Sequence, residues 1–500
     1  MIRAYAVSSV REAEAGAWSA GLEEGELMAR AASGLAAVAS ARLGGAGGRR
    51  VVALVGAGNN GGDALYALAS LARDGATAVA LTVADSVHGG GLREARDAGV
   101  LVLQAAGSRP DSAAVVSSTL READLVIDGI VGIGGHPGLS AAIEGLLHEV
   151  SDTAYVLAVD LPSGTDPGGE VPAQSCVFAD ETVTFLAAKP VHLLPATEPA
   201  VGRLTILDIG VEIGGEPVVE RVTRDDVSWL WPQPGPADDK YSRGVLGIVA
   251  GGETYTGAAL LAVTSAVCSG AGMVRYVGPA APTLLVRAQV PEAVIGDGQV
   301  QAWLVGPGVD VGDESEQGLA QRAAAQSALD SGLPCVVDAG GLELIVGPRR
   351  APTLLTPHAG ELAALLGRLE GSPGAVDRAT VTSAPLAHAR RLADLTTSTV
   401  LLKGSTTLVV SPSSSGLAAR SQADAPSWLG TAGSGDVLAG LAGTLLASGL
   451  SPLDSGSIAA LVHGLAGDAS NPGGPVRALG VAHAIPGVVA ALLVHRNVRS

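Results

Sequence analysis

Residues 51–63 read VVALVGAGNNGGD, and this stretch decides the fold of the first half of the chain. The continuous apolar run Val51–Val55 predicts a buried strand, and the glycines that follow it predict a tight turn. The alanine-rich run Ala64–Ala72 then predicts a helix. Because backbone amides and the N-terminus of a helix converge at such a turn, an anionic ligand can approach the end of the strand there.

The same alternation of strand and helix extends over the whole chain. The first half contains further apolar runs typical of buried strands, at Ala78–Val83, Val100–Leu103, Leu125–Ile130, Val156–Val159, Thr182–Leu186 and Leu204–Ile209. A second series follows at Val245–Ala250, Trp303–Val305, Pro334–Val337, Thr353–Leu355 and Val400–Leu402. Continuous rather than alternating apolar strands, separated by helices, indicate parallel sheets that are covered on both faces.

The segment between the two series differs in composition from its neighbours. It contains several prolines and a short group of acidic and aromatic residues, namely Asp225, Asp226, Trp229 and Trp231. The chain has 500 residues, which exceeds the usual length of a single domain. We therefore predict an α/β protein with a first domain, a linker and a second domain at residues 1–215, 216–239 and 240–500.

Charge and cysteine content exclude several function classes. The formal net charge of −18 argues against binding to nucleic acid, whose phosphates it would repel. Anionic ligands must then be held by local devices such as helix N-termini and the few lysines, Lys189, Lys240 and Lys403. The three cysteines form no metal or redox motif, so we expect reduced thiols in a cytoplasmic protein. No signal peptide or membrane span is expected.

The N-terminal motif alone leaves its function open. Gly56–Gly61 matches GxGxxG, and Asp85 follows the next strand, as in a nicotinamide-dependent oxidoreductase; a plain tight turn would also explain the match. Two more strands, however, end in polar groups. The first leads to Asp128 and a glycine-rich loop, and the second leads to the DLPSG segment at 160–164. Oxygens gathered at one edge of a parallel sheet could hold a hard monovalent cation.

Together these segments resemble the YjeF N-terminal family of NAD(P)HX epimerases, across residues 1–215. The resemblance implies a Rossmann-like three-layer domain. It implies that hydrated dinucleotide is contacted by Asn59, Asn60, Gly61, Gly62, Asp63, Gly132, Ile133, Gly134, Gly135, His136, Pro137, Gly138 and Asp160. It also implies a K⁺ site formed by Asn60, Asp128 and Ser163. Asp160 is the candidate acid/base, although Asp128 and Asp160 could instead only cap strand-end loops.

In this half, one residue departs from the motif of the family, and the location of another stays undecided. Ala64 stands where relatives often carry another glycine, and a methyl group at a helix start should be tolerated. Lys189 lies in the segment AAKP, which could border the same cleft or form a solvated loop. The sequence does not decide between these two locations for Lys189.

The strongest motif of the second half is GTAGSGDVLAG at residues 430–440. Its glycines permit a tight turn at the start of an apolar helix, where converging amides make an anion hole for a phosphoryl group. Asp436 would lie beside that hole and could take a proton from an attacking hydroxyl; simple helix capping would leave the glycines unexplained. Lys403 ends another strand and offers a positive charge to a phosphate.

Residues 240–495 resemble the ADP-dependent NAD(P)HX dehydratases of the ribokinase-like superfamily. The resemblance is carried by KYSRG at 240–244, GPG at 306–308, TPHAGE at 356–361, KGSTT at 403–407 and GSGD at 433–436. It implies that substrate is contacted by Ala258, Gly308, His358 and Asp436. It implies that ADP is contacted by Lys403, Gly404, Ser405, Thr406, Thr407 and Gly435. Mg²⁺ is expected as a charge neutraliser, but no motif identifies its ligands.

The two resemblances imply a bifunctional enzyme that repairs hydrated NADH and NADPH. Asp436 is expected to activate the C6 hydroxyl for attack on the β-phosphorus of ADP, after which phosphate leaves. We expect a homo-oligomer, with small molecules as its other partners. Two alternatives stay open: a small-molecule kinase that uses the same anion hole, and an N-terminal half that only binds a partner. An oxidoreductase is a weaker alternative because no hydride-transfer constellation is evident.

Overall fold

The computed structural model describes residues 1–19, 21, 24–105 and 110–497. These residues fall into two compact units, one formed by Arg3–Val219 and the other by Met1–Ile2 with Glu220–Ser500. The last three residues of the predicted second domain, 498–500, lie outside the described residues. Each unit is built around its own mainly parallel sheet, which confirms the predicted α/β class.

The N-terminal unit contains a seven-stranded sheet in the order β4-β3-β2-β5-β6-β7-β8. Its strands are β2 (Arg50–Val55), β3 (Thr77–Thr82), β4 (Leu101–Gln104), β5 (Leu125–Gly129), β6 (Tyr155–Val159), β7 (Glu181–Phe185) and β8 (Arg203–Leu207). All neighbouring pairs are parallel. The helices are α1 (Val7–Ser19), α2 (Glu24–Leu43), α3 (Asn59–Arg73), α4 (Gly89–Asp97), α5 (Pro110–Arg121), α6 (Ala141–Leu147) and α7 (Glu198–Val201).

Both faces of this sheet are buried, as the continuous apolar runs require. Along β2, Val51, Ala53 and Val55 pack into one core with α2 and α3. Val52 and Leu54 point to the other face and into a second core. A strand that is apolar on both faces therefore lies between two helical layers, which confirms the Rossmann-like three-layer arrangement. The order reverses between β2 and β5, and ligands bind at such a switch point in open α/β sheets.

The C-terminal unit contains most of an eleven-stranded sheet in the order β1-β9-β18-β17-β16-β15-β14-β13-β10-β11-β12. Its strands are β1 (Ile2–Ala4), β9 (Val219–Arg221), β10 (Val245–Val249), β11 (Met273–Val277), β12 (Val294–Ile295), β13 (Ala302–Val305), β14 (Cys335–Val337), β15 (Thr353–Leu355), β16 (Thr399–Leu402), β17 (Thr407–Val410) and β18 (Ala419–Gln422). The pairs from β12 to β16 are parallel, whereas β17 pairs antiparallel with β16 and β18.

The helices of this unit cover the sheet with small apolar side chains. They are α8 (Arg224–Leu230), α9 (Thr256–Cys268), α10 (Ala280–Gln289), α11 (Glu316–Asp330), α12 (Ala359–Leu369), α13 (Arg378–Ser383), α14 (Pro385–Thr396), α15 (Ser434–Ala447), α16 (Pro452–Ser470) and α17 (Ala478–Asn497). Gly440 of α15 is required by close packing, because a Cβ there would lie 2.3 Å from the carbonyl oxygen of Ala262 in α9. Two stretches of the chain, 254–274 and 437–453, contain no charged residue, and helices α9 and α15 of this packed layer account for most of them. Within the described part of the chain, no helix is long and apolar enough to cross a bilayer.

The segment at 216–239 differs from the predicted linker. It contains strand β9 and helix α8, and Val227 and Trp231 are buried in the core of the C-terminal unit. Its prolines and acidic residues suggested an exposed connection, but the apolar side chains between them are covered by the second unit. The strands β1, β11, β12, β17 and β18 were not predicted either. Arginine interrupts β1 and β11, most of β18 is polar, and β12 has only two residues.

The cysteines are free, as predicted, but only one is fully buried. Cys335 lies inside β14, whereas Cys176 and Cys268 are half-buried. Burial raises the pKa of the Cys335 thiol to about 12, so this thiol is inert at neutral pH.

Candidate active sites

The turn after β2 joins three strand ends of the N-terminal unit. Gly56 must be glycine, because a Cβ there would lie 1.8 Å from the carbonyl oxygen of Ile130. Helix α3 begins at Asn59, five residues earlier than the predicted helical run. The Asn60 amide nitrogen donates to the carbonyl oxygen of Val159, at 2.6 Å, and its oxygen lies against Gly132. Asn60 thereby links the end of β6 to the loop after β5.

Asp128 and Ser163, two of the three predicted K⁺ ligands, bond directly to each other. The Ser163 hydroxyl donates to Asp128 Oδ1 at 2.6 Å, and the Ser163 amide donates to Oδ2 at 2.8 Å. Burial raises the pKa of Asp128 to about 6, against the lowering effect of these hydrogen bonds. No cationic side chain of the described residues contributes to that pKa. A buried carboxylate grouped with neutral oxygens has the charge and ligand type that suit a monovalent cation.

Asp160 is held as an anion by Lys189. Lys189 Nζ donates to Asp160 Oδ1 at 2.5 Å, and the Thr184 hydroxyl donates to the same oxygen at 2.9 Å. Burial alone would raise the pKa of Asp160, but the charge and hydrogen bond of Lys189 outweigh it and hold the pKa below its usual range. Asp160 has a φ of +66°, and His192 Nε2 bonds to its carbonyl oxygen at 2.7 Å, which supports this strained backbone.

Lys189 therefore belongs to the site, and the solvated-loop alternative is wrong. Its side chain is 2% exposed, and it borders the same pocket as Asp160. Lysine occurs at only three positions of the sequence, and this scarcity was the one signal for it. Scarcity cannot show burial, because the residues that enclose Lys189 come from separate segments.

A pocket of about 130 Å³ lies beside this pair. It is lined by Glu14, Trp18, Leu27, Met28, Ala31, Asn59, Asn60, Asp63, Ile133, Asp160, Phe185, Lys189 and Ile209. Five of the predicted substrate contacts, Asn59, Asn60, Asp63, Ile133 and Asp160, are thus brought together. Glu14 and Trp18 come from α1, and no sequence motif indicated them.

The other predicted contacts of the N-terminal unit do not line this pocket. Gly61 and Gly62 are buried in the first turns of α3, where a Cβ on Gly61 would lie 2.2 Å from the carbonyl oxygen of Gly56. In the loop after β5, Gly134, His136 and Pro137 are exposed, and Gly132, Gly135 and Gly138 are half-buried. The contact roles of these residues stay predictions.

In the C-terminal unit, the glycine-rich turn leads directly into α15. Gly433 precedes the helix with a φ of +85°, a conformation that glycine adopts without strain. Asp436 lies in the first turn, as predicted. Burial raises the pKa of its carboxyl to about 7; the charge of Asp338 adds to the rise, and that of Lys403 opposes it. This pKa suits a general base at neutral pH.

Lys403 bonds to the carboxylate of Asp338, a residue that the sequence did not predict as part of the site. Its ammonium donates to Asp338 Oδ1 at 2.8 Å and lies 3.7 Å from Glu361. The Thr356 hydroxyl also donates to Asp338 Oδ1 at 2.8 Å. Asp338 directly follows β14, so the signal was the same one that identified Asp128 and Asp160: an acid at the end of an apolar strand.

Lys403 and Asp436 share one cluster. A Cβ on Gly435 would lie 3.5 Å from Lys403 Nζ, so the glycine turn and the lysine are neighbours. Burial acts to lower the pKa of Lys403, but the charges of Asp338, Glu361 and Asp436 raise it above its usual value. Three carboxylates thus surround one ammonium group. The excess of negative charge fits a further cation.

The remaining predicted substrate contacts of this unit lie at or near strand ends. Gly308 follows β13, His358 follows β15, and Ala258 lies in α9, the helix after β10. The His358 Nδ1 accepts hydrogen bonds from the amides of Gly360 and Glu361, at 3.0 and 3.1 Å, and thereby caps α12. A Cβ on Gly308 would lie 2.7 Å from that of Ala258, so their backbones approach closely. Capping is the role that these contacts give His358, and its predicted substrate contact stays a prediction.

A larger pocket, of about 460 Å³, opens beside Lys403 and the glycine turn. It is lined by Lys403, Gly404, Ser405, Thr407, Gln422, Asp424, Ala425, Pro426, Ser427, Leu429, Gly430, Ser434, Gly435, Leu438, Ala460 and His463. Of the predicted ADP contacts, only Thr406 is absent from this lining, and its side chain is buried. The lining combines polar groups, among them Lys403, with the apolar side chains of Leu429 and Leu438.

His463 is a further residue of this pocket that no motif indicated. It is buried, and its Nε2 has no hydrogen-bond partner among the described residues. Burial lowers its pKa to about 4, so the ring is neutral at physiological pH. A buried nitrogen without a partner is costly, which suggests that a bound ligand supplies one.

Comparison with known proteins identifies both halves. Residues 24–191 match the family described as YjeF-related protein N-terminus, and residues 246–477 match the family described as NAD(P)H-hydrate dehydratase. The bifunctional NAD(P)H-hydrate repair enzyme of Mycobacterium tuberculosis strain CDC 1551 / Oshkosh is 41% identical over 463 residues, which cover 89% of each chain. That of Mycobacterium leprae strain TN is 40% identical over 488 residues, covering 94% of each. The chain belongs to this family.

A solved structure is similar to part of this family member. The ADP/ATP-dependent NAD(P)H-hydrate dehydratase from Bacillus subtilis, co-crystallized with ATP/Mg²⁺, covers 54% of this chain and 97% of its own. It is 23% identical, with a TM-score of 0.46. The two matched families span the two units one after the other, so membership rests on both halves of the chain.

Proposed function

We propose that the chain repairs hydrated NADH and NADPH with two activities. The N-terminal pocket interconverts the R and S epimers at C6, and the C-terminal pocket dehydrates the S epimer with ADP, releasing AMP and phosphate. Family membership supports both activities over the kinase and the oxidoreductase. The observation that carries the dehydratase is the half-buried Asp436 carboxyl, which shares a cluster with Lys403 at the start of α15.

The chemistry of the C-terminal pocket follows from that cluster. Asp436, with a pKa of about 7, takes the proton of the C6 hydroxyl, whose oxygen attacks the β-phosphorus of ADP. The bond from that phosphorus to the bridging oxygen breaks, and AMP leaves. The amides at the start of α15 and the Lys403 ammonium stabilise the charge on the transferring phosphoryl group. Phosphate then leaves C6 as the ring nitrogen donates its lone pair, and loss of the C5 proton restores the double bond. His358, Ala258 and Gly308 are proposed to contact the dinucleotide.

Two cations complete the proposal. Glu361 carries negative charge that Lys403, engaged by Asp338, does not balance, and it is the residue that would hold Mg²⁺ together with phosphate oxygens. Mg²⁺ supplies charge neutralisation during phosphoryl transfer. In the N-terminal unit, Asn60, Asp128 and Ser163 would hold K⁺, since they offer one carboxylate and neutral oxygens near the dinucleotide pocket.

The decisive experiment incubates hydrated NADH with the full chain and either ADP or ATP. We expect NADH absorbance to recover with ADP, accompanied by equal amounts of AMP and phosphate. Chromatography of the remaining substrate should show that both epimers are consumed together. Accumulation of a stable phosphorylated product would favour the kinase instead. Recovery of only half of an equal mixture of the two epimers would indicate an N-terminal unit that binds without catalysing epimerisation.

The proposal also covers the cell compartment and the assembly. Free cysteines are typical of a reducing compartment, and we propose the cytoplasm. We further propose a homo-oligomer, as expected from the sequence. Light scattering of the purified chain gives its mass directly, and a mass of 49.3 kDa would show a monomer.

A further inference from the structure

Asp63 is the one carboxyl of the N-terminal pocket whose buried oxygen lacks a partner. It lies in the second turn of α3 and is 7% exposed. Its Oδ1 has no hydrogen-bond partner among the described residues. The side chain lines the pocket that also contains Asp160 and Lys189. A buried carboxyl oxygen without a donor is costly, so this group is poorly suited to being an anion.

The charged groups around Asp63 act in the same direction. Burial raises the pKa of Asp63 well above its usual value, and the negative charges of Asp160 and Glu14 raise it further. Glu14 faces the pocket from α1, and Asp160 and Lys189 face it from the loops after β6 and β7. Lys189 is engaged by Asp160 and does not compensate Asp63.

The pocket is therefore lined by two carboxyls in different surroundings. Lys189 and Thr184 bond to Asp160 and favour its ionised form, whereas burial and the nearby negative charges favour the protonated form of Asp63, whose Oδ1 has no partner among the described residues. Two carboxyls whose surroundings push their protonation states apart are typical of acid/base pairs in enzymes. Glu14 is a weaker candidate for the acid, since the positive charges of Lys189 and Arg11 lower its pKa and partly offset the effect of burial.

We propose that Asp63 is the proton donor of the epimerisation, with Asp160 as the anion that accepts the returning proton. The inference rests on the proposed epimerase function and assigns its chemistry. The reacting group is a hydroxyl on a carbon bonded to nitrogen, which departs readily once it is protonated. Asp63 has the free oxygen, the burial and the position to protonate it.

The steps balance as follows. The Asp63 carboxyl gives its proton to the C6 hydroxyl, the C6–O bond breaks with both electrons on oxygen, and water leaves. The lone pair of the ring nitrogen forms an N1=C6 double bond, and C6 becomes planar. A water molecule adds to the other face of C6, its proton passes to Asp160, and the N1=C6 electron pair returns to nitrogen. Proton exchange with solvent then restores neutral Asp63 and ionised Asp160.

The main test replaces Asp63 by asparagine, which keeps the shape but cannot give up a proton in this way. We expect epimerase kcat to fall roughly 100-fold with KM little changed, because general acid catalysis contributes on that order. Asp74→Asn, at the exposed C-terminal end of the same helix, is the matched control and should behave like wild type. The dehydratase activity of the same chain reports whether Asp63→Asn is folded.

Each outcome separates this inference from the proposed function. An active wild type with a slow Asp63→Asn variant supports the inference. An active wild type with an Asp63→Asn kcat within about threefold of it overturns the inference and leaves the epimerase function standing. A wild-type chain without epimerase activity overturns the proposed function itself.

A second measurement needs no variant. The reaction is run in water labelled with oxygen-18. If the original hydroxyl departs and solvent water replaces it, each epimerised molecule must carry the label, whereas the unreacted epimer must not. Unlabelled product would overturn the proposed step.

The pH dependence gives a further measurement. Since the acid form of Asp63 is needed, wild-type kcat should fall as pH rises through the raised pKa of Asp63, and the Asp63→Asn variant should lose that fall.

Discussion

The two units place the same ingredients, a lysine and several carboxylates, at the C-terminal edge of a parallel sheet, but they pair them differently. In the N-terminal unit, Lys189 bonds to Asp160, which we propose to take part in the chemistry. In the C-terminal unit, Lys403 bonds to Asp338, and Asp436 is left next to the pair. The pKa of Asp160 is lowered as a result, whereas that of Asp436 is raised to about 7.

The difference shows that the partner of the lysine sets the protonation state of each carboxyl. Asp160 is buried and Asp436 is half-buried, so loss of water around each carboxyl would by itself raise both pKa values. A direct ion pair reverses that rise for Asp160. At a distance, Lys403 opposes the rise of Asp436 only in part, because Asp338 cancels much of its charge. The resting site of one unit thus contains an ionised carboxylate, and the other unit contains a base that can exchange protons near neutral pH.

The largest expected effect comes from removing the unpaired aspartate. Asp436→Asn should lower dehydratase kcat about a thousandfold, since the hydroxyl loses its base, while epimerase activity stays at the wild-type level. The recovery of NADH absorbance with ADP measures the first activity, and chromatography of the two epimers measures the second. A variant that keeps most of its dehydratase activity would remove Asp436 from the role of base.

Removing the paired lysine should affect stability as well as catalysis. Lys189→Met leaves the buried Asp160 charge without a partner, which costs about 3–5 kcal/mol of the free energy of unfolding. Urea unfolding of the N-terminal unit measures this loss, and Lys240→Met, at an exposed lysine, is the control. The double variant Lys189→Met/Asp160→Asn should recover much of the stability. If it does not, the ion pair is not the cause of the loss.

The pH dependence of the dehydratase should report the neighbours of Asp436. Because the base must be deprotonated, kcat/KM should rise with pH through about 7, the pKa of Asp436 in the free protein. Asp338→Asn removes a negative charge near Asp436 and frees Lys403, so both changes lower that pKa. The midpoint should then move to lower pH by about one unit. A midpoint that stays in place, or moves up, would contradict the assigned pairing.

The smallest effect is expected at His463, in the pocket beside Lys403. His463→Ala removes a neutral ring whose Nε2 needs a partner, and the loss of one hydrogen bond should weaken ADP binding about fivefold, or ~1 kcal/mol. Calorimetric titration with ADP measures the Kd. Because burial lowers the pKa of His463 to about 4, the effect should be the same at pH 6 and pH 8. An unchanged Kd would show that the ligand does not reach this end of the pocket.

Much of both sites could be predicted because their residues follow strands in the chain. Three of these residues stand at or directly after the end of an apolar run, namely Asp128, Asp160 and Lys403. Asp436 follows a glycine-rich turn. Such signals are local, because they involve only neighbouring residues. The segment at 216–239 could not be predicted in the same way. Its helix α8 is short, and only the packing of Val227 and Trp231 into the second core makes it part of that unit.

The sequence by itself determined the two α/β units and the strand ends at which chemistry is possible, because apolar runs and glycine turns act over a few neighbouring residues. Only the tertiary structure decided which charges meet. Lys189 and Asp160 are 29 residues apart, and Lys403 and Asp338 are 65 residues apart. Strand order brings each pair together, since β14, β15 and β16 lie side by side, as do β6 and β7. Strand order is set by long-range packing, and so are the protonation states that depend on it.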